Sequence, residues 1–281
     1  MLNTNTKLKI WHDADGSFTD LSSSAFDFSR DTFTLTLNQS TSYLYIGYYK
    51  PINSCFVQIN TVNTNANSFT AEYYNSSSGW TAISDFNDDT KGFTRSGFMS
   101  WPRNLSNEAA LAVNGHSAFY IRICPSVTHS STVIQAINFV FTDDTDLSYE
   151  VPEITDTNHL AGKTSHILTH VAVRNEILQA LNNKDYKKNN ATTGLKEDLT
   201  CWDILDIHQL KQACIFLALS KIYFNFSDSA DDKYYQKHKD YYAKFKQSFE
   251  LSQLALDKND DGIKDDFETQ AENFSIKRIT R

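Results

Sequence analysis

Between residues 32 and 141, apolar positions recur with a period of two. The run Thr32-Phe33-Thr34-Leu35-Thr36-Leu37 alternates polar and apolar residues. A strand turns successive side chains to opposite faces, so Phe33, Leu35 and Leu37 share one face. Residues 43–49, 55–59, 69–74, 80–83, 119–124 and 133–141 read in the same way, rich in Tyr, Phe, Ile and Val. Turn-forming clusters such as Asn75-Ser76-Ser77-Ser78-Gly79 separate them. Strands this frequent, with few helical stretches between them, predict an antiparallel β-sandwich of jelly-roll character over residues 1–151.

Near residue 150 the period changes. Pro152 disfavours helix before it, so residues 152–164 read as a linker. Leu168, Val171, Leu178 and Leu181 then fall on one stripe of a helix over 165–183. A second helix, over 201–226, opens with Thr200-Cys201-Trp202-Asp203, which has the form of a capping box. A third, over 230–256 and capped by Asp228 or Ser229, carries Tyr235, Tyr242, Phe249 and Leu256 at seven-residue spacing, with Tyr234, Tyr241 and Phe245 beside them. That aromatic stripe suits a packed core or a subunit interface, where Tyr and Phe are enriched. The fold class expected is therefore multidomain, all-β plus all-α. A sandwich precedes a C-terminal helical bundle over 165–256, an acidic loop over 257–268 and a basic tail over 269–281.

Composition narrows what such a chain does. With 281 residues and 40% hydrophobic content there is material for two cores. A formal net charge of -8 argues against broad attraction to nucleic-acid backbones. No run of about 18 apolar residues occurs, so no membrane span is expected. Residues 1–6 lack the apolar stretch of a secretory signal. Cys55, Cys124, Cys201 and Cys214 fit no zinc spacing and read as free thiols from a reducing compartment.

The strongest chemical motif is Asp257-Lys258-Asn259-Asp260-Asp261-Gly262-Ile263-Lys264-Asp265-Asp266-Phe267-Glu268. It matches a calcium-loop pattern. Calcium takes six to eight hard oxygen ligands. Asp257, Asn259, Asp261, Asp265 and Glu268 would supply side-chain oxygens, Ile263 its carbonyl, and Gly262 the sharp turn. Lys264 stands where such loops carry an apolar β-branched residue, and no second loop pairs with this one. The expectation is thus one structural Ca2+, set against a solvated acidic turn. Asp13-Ala14-Asp15-Gly16 reads as a turn. His166 and His170, four apart on a helix start, read as a surface or interface pair. Local motifs assemble no Ser-His-Asp triad, Cys-His pair or phosphate loop, so the chain reads as non-enzymatic.

Two stretches resemble known families. Thr193–Asp206, the apolar helix through Ala213–Leu219, and the run Asp231-Asp232-Lys233-Tyr234-Tyr235 through Tyr242 resemble head-to-tail adaptor (connector, neck) proteins of tailed bacteriophages. Gly79-Trp80-Thr81-Ala82-Ile83 and the segment Asp88–Trp101 are similar to β-sandwich modules of phage baseplate and neck proteins. The resemblance implies a virion structural protein, made in the host cytoplasm, that joins portal to tail as a ring of about twelve copies. Its implied partners are further copies of itself, the portal and a tail or nozzle protein, with DNA passing through the ring without sequence-specific contact. In such adaptors the C-terminal segment docks into the portal. Here Ile276, Lys277, Arg278, Ile279 and Arg281 would do so. The alternative is a carbohydrate-binding or tail-attached sandwich module, with Tyr73, Tyr74, Trp80 and Trp101 stacking on sugar rings.

Overall fold

A computed structural model describes residues 8–26, 28, 32–65, 67–102, 105–184, 186–190, 193–206 and 208–262, with the backbone of 272–273. The chain divides into two compact units. The first holds residues 1–139 with a short return at 261–263, and the second holds the remainder.

The first unit is built of two antiparallel sheets. Its strands are β1 Lys9–Ala14, β2 Ser17–Asp20, β3 Phe33–Leu35, β4 Ser42–Tyr48, β5 Ser54–Thr61, β6 Phe69–Asn75, β7 Gly79–Ala82, β8 Asn87–Asp88, β9 Gly97–Ser100, β10 Leu111–Val113, β11 His116–Pro125 and β12 Thr132–Asn138. One sheet runs β2-β1-β4-β11-β6-β7, with β10 also paired to β11. The other runs β3-β12-β5-β9-β8. Each stretch that alternates in the sequence forms a strand here, within a few residues of its expected ends. Leu44, Ile46 and Tyr48 alternate along β4 and are fully buried, as period two requires.

The hairpin β1–β2 lies outside the expected strand set. Its turn falls at Asp13–Gly16, where the Gly16 amide donates to Asp13 Oδ1 at 2.7 Å. Asp15 at φ 57 and Gly16 at φ 86 adopt the left-handed backbone of a two-residue turn. Lys9-Ile10-Trp11-His12-Asp13-Ala14 hides its alternation because both faces carry large side chains.

A short helix, α1 Ser22–Phe26, packs against β12 of the five-stranded sheet and, at its start, against β1 through Ser22. Asn138 Nδ2 on β12 donates to the Phe26 carbonyl at 2.9 Å, and Gln135 Nε2 donates to that of Phe28. Phe28 meets Phe56 at 6.4 Å, and Phe56 meets Phe98 at 5.0 Å. The chain around Phe28 thus closes off Phe56, while Phe98 remains half-buried.

The second unit opens with α2 Asp144–Glu150, capped reciprocally by Asp143 and Asp146. Residues 152–164, read as a linker, contain short helical turns. Pro152 starts a 3-10 turn, Pro152–Thr155, and a short helix α3, Thr157–Leu160, follows. Proline suits a first helical turn because its missing amide would be unpaired there. The main helices are α4 Ile167–Asn183, α5 His208–Asn225 and α6 Lys233–Leu251.

Two expected boundaries move. The capping box at Thr200–Asp203 exists, but it closes a 3-10 turn of three residues, and the chain then extends before α5 begins. The extension is fixed by pairing, since Ile204 bridges Leu256 and the Leu205 amide donates to the Ala255 carbonyl at 2.9 Å. That same pairing ends α6 at Leu251, so Leu256 leaves the helical stripe. Asp232, not Asp228 or Ser229, caps α6 by accepting from the Tyr234 amide. Small hairpins complete the unit, β13 Lys187–Asn189 with β14 Lys196–Asp198, and β15 Gln253–Leu254 with β16 Glu272–Asn273. No helix among the described residues is long and apolar enough to cross a membrane.

Candidate functional site: an aromatic sheet face around Arg122

The outer face of the seven-stranded sheet should be polar if it meets only water. It is not. Register places Trp11, Tyr45, Arg122, Glu72 and Ala82 in one row across β1, β4, β11, β6 and β7. Tyr74 faces Trp80 on the neighbouring pair, and Tyr43 faces Asp13. Trp11, Tyr45, Val113, Ala118 and Tyr120 form a buried cluster, and Phe18, Tyr43, Trp80 and Leu111 pack against it half-buried.

Arg122 sits at the centre. Its guanidinium lies 4.3 Å from the Tyr43 ring centroid and 4.3 Å from that of Trp80. The two rings come from strands on opposite sides of β11. Nε donates to Glu72 Oε2 at 2.6 Å. Burial works against the cation, but Glu72 and Tyr45 outweigh it and hold Arg122 above its ordinary value. Stacking and a charge-assisted hydrogen bond thus fix one cation in the plane of an aromatic face.

The floor of the face depends on Gly47. A Cβ there would overlap the Tyr120 ring, so Tyr120 lies across β4 only because Gly47 has no side chain. The Tyr120 hydroxyl accepts from Trp11 Nε1 at 3.2 Å and donates to the His116 carbonyl at 3.3 Å. Trp80 meets Tyr45 edge-on at 5.6 Å and Tyr74 at 5.8 Å.

Of the four aromatics expected to stack on sugar, the structure brings Tyr74 and Trp80 together on this face. Tyr73 points the other way, into the core, 6% exposed, and its hydroxyl donates to the Ser106 carbonyl at 3.1 Å. Trp101 is 4% exposed and donates through Nε1 to the Ile52 carbonyl at 2.6 Å. Sequence reasoning missed Tyr43, Arg122 and Glu72. A signal was present: single opposite charges sit mid-strand in two otherwise uncharged strands.

The acidic loop is described as far as Gly262. Asp257 is fully buried, Asp260 is 4% exposed, and Asn259 and Asp261 are half-buried. Ile263, Asp265 and Glu268 lie outside the described residues, as do the tail residues Ile276, Lys277, Arg278, Ile279 and Arg281. Carboxylate oxygens of Asp203, Asp257 and Asp260 come within 4.8 Å of one another. Into this cluster comes Lys188, 1% exposed, with Nζ 3.2 Å from Asp203 Oδ1 and 2.7 Å from Asp260 Oδ1. Backbone bonds knit the same place, Asp257 amide to Asp203 carbonyl and Asn189 amide to Lys258 carbonyl, each 2.8 Å. Lys188 thus brings a positive charge to the first part of this motif.

His166 and His170 are not a surface pair. Both are buried, because polar groups inside the second unit satisfy them. His170 joins Thr142 Oγ1 at 2.9 Å and Asp144 Oδ1 at 3.1 Å, and His166 Nε2 meets the Ile154 carbonyl at 2.9 Å. Burial pushes the His166 imidazole below its ordinary value. The four cysteines are unpaired. Burial drives the Cys55 and Cys201 thiols up to about 12, and the Cys214 thiol upward as well. These three are poor nucleophiles.

No family model and no curated protein matches the chain. Solved structures similar to it include a CBM32 module, CBM32-6 of CpGH89, produced by Clostridium perfringens. It is 12% identical, with 48% of this chain and 93% of that one covered, at a TM-score of 0.29. Chitosan-binding module 1 of a chitosanase/glucanase from Paenibacillus sp. IK-5 is 10% identical, covering 49% of this chain and 98% of that one, at a TM-score of 0.27. The family 89 glycoside hydrolase CpGH89 of Clostridium perfringens is 12% identical, covering 64% of this chain but 20% of that one, at a TM-score of 0.28.

Proposed function

We propose that the first unit is a glycan-binding module whose binding surface is the outer face around Arg122. One observation carries this reading: half-buried Tyr43, Trp80 and Phe18 crowd a sheet face that water alone would make polar. Sugars present flat C–H patches beside hydroxyls. Tyr and Trp rings suit the first, and Glu72 with the tyrosine hydroxyls suits the second. The test is thermal melting of the full chain with soluble polysaccharides, since a ligand that binds only the folded state raises the melting temperature. The expected result is a rise that Trp80→Ala abolishes. No rise with any glycan would set the reading aside.

A second reading concerns the helical unit. It carries over the ring-adaptor expectation and starts from a groove of about 590 Å3 between α4, α5 and α6. Leu168, Phe224 and Tyr242 border it and are left exposed at 49%, 53% and 38%. Tyr242, Phe245 and Phe249 share one stripe of α6, which is buried at Phe245 and Phe249 and emerges at Tyr242. In this reading the unit assembles with copies of itself under a portal in the virion neck. The mass of the chain mixed with portal, in solution, tests it. A monomer under all conditions speaks against it.

A further inference from the structure

The same face also constrains the charge of its ligand, and this inference rests on the glycan reading above. Five charged side chains lie on it by register: Lys9, Asp13, Asp20, Glu72 and Arg122. The cations are committed. Arg122 gives Nε to Glu72 at 2.6 Å and sits against the Tyr43 and Trp80 rings. Lys9 pairs with Asp20 at 3.6 Å. Asp13 accepts from the Gly16 amide. Two positive charges against three negative leave the described face slightly acidic. His116, held below its ordinary value by burial and by Lys9, adds no charge at neutral pH.

A carboxylated or sulfated sugar would arrive with no unpaired cation to meet it. An anion approaching Arg122 meets a guanidinium whose charge Glu72 already balances at 2.6 Å, so it gains less than it would from a lone cation. A cationic amino sugar finds Glu72 and Asp20 already paired with Arg122 and Lys9, and Asp13 buried. A neutral pyranose meets neither obstacle. Its C–H face needs only aromatic area, and its hydroxyls both donate to Glu72 and accept from tyrosine.

We propose that this face takes a neutral hexopyranose chain, stacked on the half-exposed rings of Trp80 and Tyr43, with Glu72 accepting from its hydroxyls. The Arg122–Glu72 pair then acts as a positioning pair. It holds the two rings apart and fixes the carboxylate, and it disfavours acidic chains because Glu72 already balances its charge.

The experiment is affinity electrophoresis and calorimetry of the full chain against three panels: laminarin, galactomannan and β-1,4-galactan; polygalacturonate and alginate; and chitosan. The expected result is binding to at least one neutral polymer, unchanged between about 50 and about 500 mM sodium chloride because no ion pair is formed. Trp80→Ala should weaken that binding about tenfold or more. Should Trp80→Ala fail to fold, Tyr43→Ala and Tyr74→Ala give the same readout at neighbouring rings. Binding confined to polygalacturonate, alginate or chitosan, and lost in Trp80→Ala, overturns the neutral-ligand inference but leaves the glycan reading standing. Neutral binding indifferent to all three substitutions moves the site elsewhere and overturns the inference. No binding to any panel overturns both.

Discussion

The two sheets of the first unit treat their outer faces differently. On the five-stranded sheet, α1 packs against β12 and Phe28 lies across Phe56, and side-chain amides of β12 tie that cover down. On the seven-stranded sheet, aromatic residues are more numerous, yet no described segment of the unit lies across Tyr43, Trp80 and Arg122. Phe56 is 2% exposed, and its counterpart Trp80 is half-buried. An aromatic face has two stable fates, to be covered by its own chain or to be met by something else. The covered face is a core extension, whereas the open one has kept a fixed ion pair among its rings.

The comparison breaks most directly at its two rings. Phe56→Ala should cost about 3–5 kcal/mol, as large-to-small changes in closed cores do. Trp80→Ala should cost less than half of that, because much of its ring already meets water. Chemical denaturation of the two variants measures the gap, and equal costs would mean that the two faces are equally closed. The two fixed cations sharpen the point. Lys188→Ala leaves Asp203 and Asp260 buried without their ammonium, and about 3–5 kcal/mol is expected to be lost. Arg122→Ala, at 17% exposure and with Glu72 able to reach solvent, should lose about 1–2 kcal/mol. Gly47→Ala should cost about 1–3 kcal/mol by displacing the Tyr120 ring, and near-ultraviolet circular dichroism should change with it.

The smallest effect is that of pH. His129, 1% exposed between Phe69 and Phe93, is held below the ordinary histidine value of 6.5, chiefly by burial. The unfolded chain therefore takes up its proton first as pH falls. Stability is complete above about 6.5 and is lost progressively below it, toward the lower folded value. His166 has the same sign in the second unit. Melting curves between about pH 7 and about pH 5 should fall together for both units, and a rise would contradict the assignment.

How much of this was legible in the sequence follows from where each signal is stored. Strands such as β4 and β6 announced themselves because one of their faces is buried and period two survives. β1 was hidden because Trp11 and Ile10 point to opposite sides and both are buried. Helix α6 was visible as a stripe. Helix α4 was visible as a helix, but its buried face is Ile167, His170, Val173, Ile177 and Leu181, which shares only Leu181 with the stripe read from sequence. The break at Ile204–Asp206 was not visible. It is imposed by pairing with residues 255–257, some fifty positions away. The face around Arg122 needs four strands to meet, Tyr43 with Arg122 across 79 positions and Arg122 with Glu72 across 50. No local motif encodes that. The acidic loop was the opposite case. Its motif was plain, while Lys188, which shares its carboxylates, comes from 72 positions upstream of Asp260.

One further property follows from the state of the cysteines. Cys55, Cys201 and Cys214 are buried and held as thiols, whereas Cys124 is half-buried and follows Arg122 by two on the same strand, so it emerges on the same side of the sheet. A small maleimide fluorophore added to the folded wild-type chain should therefore attach at one place, a few ångströms from the rings in question. The unmutated protein carries its own attachment point for an optical reporter of occupancy, and the dye's emission could follow ligand arrival and departure in real time.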